Sequence, residues 1–116
     1  MKKILSLLFL FTYAFASSQE YKITNVNGWN ARLFNSKVMI KDDTISFTYR
    51  KRPPAYIKIS NVKLENEKKY FYAEVEPPLE ESYYILYKDG KKTILENYMV
   101  VNGKSIEIKM RLSKIN

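Results

Sequence analysis

The chain has 116 residues, with 20 Lys plus Arg against 12 Asp plus Glu and neither histidine nor cysteine. Those two absences exclude thiol nucleophiles, disulfides, Cys/His zinc sites and imidazole acid–base chemistry. What remains is a basic chain of net charge +8 and 15% aromatic residues, whose core must be held by packing alone.

The first residues, "MKKILSLLFLFTYAFASSQ", read as a leader. Lys2 and Lys3 precede a short apolar run, Ile4 to Phe15, and Ala14-Phe15-Ala16 is the small–x–small pattern of a cleavage site. The run is shorter than the roughly 20 residues of a membrane span, and no Cys follows it for lipid attachment. The expectation is a signal peptide over 1–16, cleaved near Ala16, and a single domain over 17–116. That domain would be exported to the periplasm or secreted, with no stable membrane anchor. After cleavage 18 basic residues face 12 acids, a net +6. The lysines are scattered, commonly on the polar side of alternating strands (Lys58, Lys109, Arg111). They read as solvated sheet faces rather than a polyanion site, and no nucleic-acid partner is expected.

From residue 21 onward the chain alternates with period two. The runs predict nine strands: 21–26, 29–34, 37–41, 44–50, 56–64, 69–75, 83–88, 91–101 and 104–112. "TISFTYR" turns Ile45, Phe47 and Tyr49 one way; "YFYAEV" does so with Phe71, Ala73 and Val75; "SIEIKMRL" with Ile106, Ile108, Met110 and Leu112. One apolar face per strand is the mark of half-buried antiparallel strands. Asn27-Gly28, Asp89-Gly90 and Asn102-Gly103 are hairpin turns, because they reach positive φ. The fifth run changes phase between Ile57/Ile59 and Val62/Leu64, so a bulge is predicted near Ser60-Asn61.

With every connection short, the fold class is all-β: an antiparallel up-and-down meander of about eight or nine strands. Two unpaired edges would remain unless it curls up. A closed or nearly closed small barrel is preferred, with a two-layer sandwich as the alternative. "FTYRKRPP" (47–54) and "FYAEVEPP" (71–78) recur 24 residues apart, and a meander places both Pro-Pro loops at one end. One is basic (Arg50, Lys51, Arg52) and the other acidic (Glu74, Glu76, with Glu80 and Glu81 just after). They could pair and close that end, the preferred reading, or form a polarised rim for a charged partner.

The acids sit in turns or in the Glu-rich loop, which gives no carboxylate pair a means of separating its pKa values. Asp42-Asp43 lacks the oxygen-rich spacing of a calcium loop. No enzyme activity, cofactor or metal is expected. Trp29 is read as a core residue beside a tight turn. Gly28-Trp29 is faintly similar to the Gly-x-Trp of lipocalin-type barrels, a likeness of two residues. About a hundred residues in nine short strands imply a filled interior, which favours surface binding over an internal cavity.

The expected function is therefore a monomeric, non-catalytic binding module. It would take a glycan, peptide or small ligand through a Tyr-rich outer face, represented by Tyr56, Tyr72 and Tyr84, and through the charged Pro-Pro loops. The alternative is an inhibitor or immunity-type protein that binds a partner protein.

Overall fold

The computed structural model of the chain describes residues 19–115. The expected leader and its cleavage point at Ala16 lie outside the described residues. Nine strands follow in order: β1 (Gln19–Val26), β2 (Trp29–Asn30), β3 (Ser36–Ile40), β4 (Thr44–Tyr49), β5 (Ala55–Glu65), β6 (Lys68–Ala73), β7 (Leu79–Asp89), β8 (Lys92–Val101) and β9 (Lys104–Lys114). From β3 to β9 each strand pairs antiparallel with the next, and β1 pairs with both β3 and β9. The result is a closed eight-stranded barrel with β2 as an extra strand, so the edges that a meander leaves open are removed. Among the described residues no helix is long and apolar enough to cross a membrane.

Closure depends on how β1 divides its two edges. Residues 19–22 pair with β3, and Asn25 and Val26 pair with β2. The other edge runs along β9 from Tyr21 to Val26, with Thr24 bulged between Ile23 and Asn25. Asn27 holds this seam: its N–H donates to the Lys109 carbonyl at 2.8 Å, and its Oδ1 accepts the Lys109 N–H at 2.8 Å.

The expected bulge in β5 is present. Ile59 opposes Ala73 and Asn61 opposes Tyr72, leaving Ser60 unpaired, with its hydroxyl donating to the Tyr72 carbonyl at 3.0 Å. The extra residue restores phase, so Ile57, Ile59 and Val62 all pack on the same core. Asn27-Gly28, Asn66-Glu67 and Asn102-Gly103 occupy positive φ in two-residue turns. At β7–β8 the turn is Gly90-Lys91, one residue later than the Asp89-Gly90 pair in the sequence, because Asp89 still pairs with Lys92.

The expected strand 29–34 is mostly absent. Only Trp29 and Asn30 pair with β1, and Arg32–Phe34 forms a 3₁₀ turn. Asn30 Oδ1 accepts the Arg32 N–H at 3.0 Å, and Asn35 takes the left-handed conformation that redirects the chain into β3. Short polar side chains that bond locally compete with strand pairing in this way.

The core fills the middle of the barrel. Val38, Ile45, Phe71 and Leu95 are fully buried, surrounded by Tyr21, Ile23, Ile40, Ile59, Met110 and Leu112. Ile106 and Val75, predicted to face inward, are exposed; one follows closely on the β8–β9 turn and the other lies beyond the end of β6. The meander sorts its connections into two ends. Residues 27–35, 50–54, 74–78 and 102–103 lie at the Pro-Pro end, and 41–43, 66–67 and 90–91 at the opposite end.

Candidate functional site

The two Pro-Pro loops share an end, but among the described residues no ion pair joins them. Arg50 and Arg52 instead place their guanidinium groups over the Tyr49 ring, 5.5 and 5.9 Å from its centroid. Arg50 sits at positive φ, and the Arg52 N–H donates to the Tyr49 carbonyl at 3.1 Å, so the backbone folds both cations back onto the strand they follow. Lys51 is exposed. On the acidic side, Glu74 reaches Lys58 of β5 at 3.9 Å, the Glu76 carbonyl accepts the Leu79 N–H at 2.9 Å, and Glu80 is bulged between Leu79 and Glu81. Closure by pairing of the loops is thus replaced by two separate local arrangements. Each loop finds its partner on the strand beside it, at lower conformational cost than bridging the end.

Trp29 corrects the sequence reading most sharply. It is 79% exposed, on a two-residue strand outside the barrel. Phe34, from the same β1–β3 connection, is also exposed and lies 6.1 Å from the Tyr49 ring. The Pro-Pro end therefore carries Trp29, Phe34, Tyr49, Arg50 and Arg52.

The outer wall carries a second grouping. Tyr72 of β6, Tyr83 of β7 and Tyr98 of β8 stand directly opposite one another across three adjacent strands. Their ring centroids are 5.8 Å apart for Tyr72–Tyr83 and 5.1 Å for Tyr83–Tyr98, and Tyr70 joins at 6.4 Å from Tyr72, nearly parallel to it. Alternation turns these side chains outward because Phe71, Tyr84 and Asn97 take the inward positions. Burial first, then the negative charges that Tyr98, Glu81 and the other tyrosines can carry, raise the Tyr83 phenol above its ordinary value of 10.0. The wall presents apolar ring faces and hydroxyl edges.

Tyr84 does not belong to it. It is 6% exposed, its ring is 6.0 Å from Phe47 inside the barrel, and burial pushes its phenol up to about 12. Strand β7 carries large side chains on both faces, Tyr83 and Ile85 against Tyr84 and Leu86, so its pattern does not say which face is interior. Tyr56 is exposed on the outer face of β5, beside Pro54, and among the described residues takes no part in the ring cluster.

Of the residues expected at the site, the structure gathers Arg50 with Arg52 and places Tyr72 in the ladder with Glu81 nearby. It sends Tyr84 to the core. Sequence reasoning missed Trp29, Phe34, Tyr83 and Tyr98. Tyr98 was recoverable from its phase within β8, where it alternates with Asn97; Trp29 stands among Asn27, Gly28 and Asn30 with no alternation to orient it. Among the described residues no group of three or more acidic side chains is placed to hold a metal ion. Comparison with family models, with characterised proteins and with solved structures finds no match to this chain.

Proposed function

We propose that the chain is an exported, non-catalytic binding module whose ligand is a glycan laid across the tyrosine ladder of the outer wall. The observation that carries this is the continuous run of Tyr72, Tyr83 and Tyr98 on three neighbouring strands, with Tyr70 stacked beside it. Tyrosine offers large contact area for little lost rotamer freedom, and its hydroxyl edge can exchange hydrogen bonds with sugar hydroxyls while its face covers apolar C–H groups. Export is supported by the basic, apolar and small-residue order of residues 1–16. Affinity electrophoresis and calorimetry with cello-, xylo- and chito-oligosaccharides test the reading. Tyr72→Ala/Tyr83→Ala should weaken binding at least about tenfold, a loss of about 1.4 kcal/mol. Equal affinity in the variant, or no binding of any of the three sugars, refutes it.

A second reading, an inhibitor-type protein that engages a partner protein, rests on the Pro-Pro end. Trp, Tyr and Arg are the residues enriched at binding hot spots, and Trp29, Tyr49, Arg50 and Arg52 are presented there together. For this reading Trp29→Ala must abolish a stoichiometric complex while the tyrosine-wall variant retains it.

A further inference from the structure

The end of the barrel opposite the Pro-Pro loops holds two adjoining concavities of different chemistry. One, of about 340 Å³, opens at the barrel mouth. Its floor is apolar, with Phe71, Tyr21 and Ile40 buried there and Leu86 beside them, while Gln19, Glu67, Lys69, Lys88, Thr93 and Lys114 make the rest of its lining polar. At its rim Leu64, a large apolar side chain, is 73% exposed. Its volume falls at the lower end of the range for ligand pockets, about 300–1,000 Å³.

The second, of about 440 Å³, runs along the adjacent outer wall as far as Arg32 of the β1–β3 connection, and its other basic residues are Lys22, Lys88, Lys91, Lys92, Arg111 and Lys114. Among the described residues no Asp or Glu lines it. The described ion pairs are Lys58–Glu74, Lys63–Glu65 and Lys69–Asp42, so none of the seven cations is neutralised by one. These residues come from β1, the β1–β3 connection, the β7–β8 hairpin and β9, and barrel closure brings β1 and β9 together. In the sequence they look like scattered solvated lysines.

The two concavities share Lys88, Thr93 and Lys114. Lys88 Nζ donates to Thr93 Oγ1 at 2.7 Å, which positions that ammonium at the junction without neutralising it. On the opposite side of the mouth the Lys69 charge is already neutralised by Asp42 at 2.7 Å, and Glu67 stands on the same side. Among the residues that line the mouth, positive charge outside an ion pair is therefore left at Lys88 and Lys114.

We infer that this end binds an anionic amphiphile: an acyl or alkyl chain enters the barrel mouth, and its phosphate or carboxylate head lies at Lys88 and Lys114, facing the basic groove. Neither concavity accounts for such a ligand alone. An inorganic anion would leave the apolar mouth unused, and a neutral hydrocarbon would leave the groove unpaired. The inference concerns a different face from the tyrosine wall and stands independently of it.

The test is calorimetry at low salt with decyl phosphate and decanoate below their micelle-forming concentrations, decanol below its solubility limit, and inorganic phosphate. Decyl phosphate and decanoate should bind at one site per chain, and their relative affinities distinguish the two heads. Decanol should bind at least about tenfold more weakly, since it lacks the charge. Each two methylenes added from hexyl to decyl phosphate should tighten binding about tenfold. Lys88→Gln/Lys114→Gln, two exposed positions whose replacement leaves the fold intact, should weaken decyl phosphate about tenfold and leave decanol unchanged. Binding of inorganic phosphate as tight as that of decyl phosphate would overturn the inference by reducing the site to a surface anion patch. Equal affinity for decanol and decyl phosphate would overturn it from the other side.

Discussion

Replacing Phe71 by alanine tests whether the barrel interior is the packed core on which every site depends. Phe71 is fully buried between Val62 of β5 and Tyr84 of β7, and the Lys69 ammonium lies 5.2 Å from its ring centroid. Removing a ring of that kind costs about 3–5 kcal/mol in lost transfer energy and cavity formation. A domain of this size is stable by only about 5–15 kcal/mol, so the variant loses a large fraction of what it has. At about 4–8 °C per kcal/mol the midpoint should fall by at least about 12 °C. Thermal and urea unfolding followed by far-UV circular dichroism are the suitable assays, because Trp29 is 79% exposed when folded and its indole reports little. Leu64→Ala is the control: at 73% exposure it should change stability by less than about 0.5 kcal/mol. If Phe71→Ala costs less than about 1 kcal/mol, or no more than Leu64→Ala, the interior is not packed as described.

Tyr84 gives a pH dependence with a definite sign. Its phenol is raised from 10.0 to about 12 in the folded state, so the native protein keeps a proton that the unfolded chain releases. Its contribution is fully present below pH 10 and is lost as pH rises toward 12, by up to about 2–3 kcal/mol. Urea midpoints at pH 9 and pH 11 should show a smaller alkaline loss in Tyr84→Phe than in the parent, and equal losses would refute the assignment. At the β1–β9 seam, Asn27→Ala forfeits both the bond to the Lys109 N–H and the tolerance for φ of 51°, at about 1–3 kcal/mol. Asn27→Gly keeps the turn and loses only the bond, so a smaller loss in stability separates the two effects. Arg50→Glu/Arg52→Glu should cost less than about 1 kcal/mol, since each guanidinium stacks on exposed-side Tyr49 and neither pairs with the acidic loop. A loss of several kcal/mol would mean that the loops do close the end between them.

Much of the fold was legible in local chemistry. The phase break between Ile59 and Val62 required one extra residue, and Ser60 is that residue. Asn27-Gly28 and Asn102-Gly103 set two hairpins because they accept positive φ at low cost. Phe71, Ile45, Met110 and Leu112 are buried where alternation placed them. The candidate sites were less legible. Tyr72 could be assigned outward because Phe71 beside it is so plainly apolar, whereas Tyr83 and Tyr84 each have an aliphatic companion two residues on, and nothing local distinguishes them.

Alternation, turn residues and strand lengths act within a few residues, and they determined the order of strands, the meander and the bulge. What faces a strand end, and what covers a flap, depends on segments distant in sequence. Closure of β1 on β9 decided that Trp29 stays outside the barrel. It also gathered Lys22, Arg111 and Lys114 with the lysines of the β7–β8 hairpin. Those placements are set by the ring of eight strands as a whole, because only a closed sheet brings its first and last strands into contact.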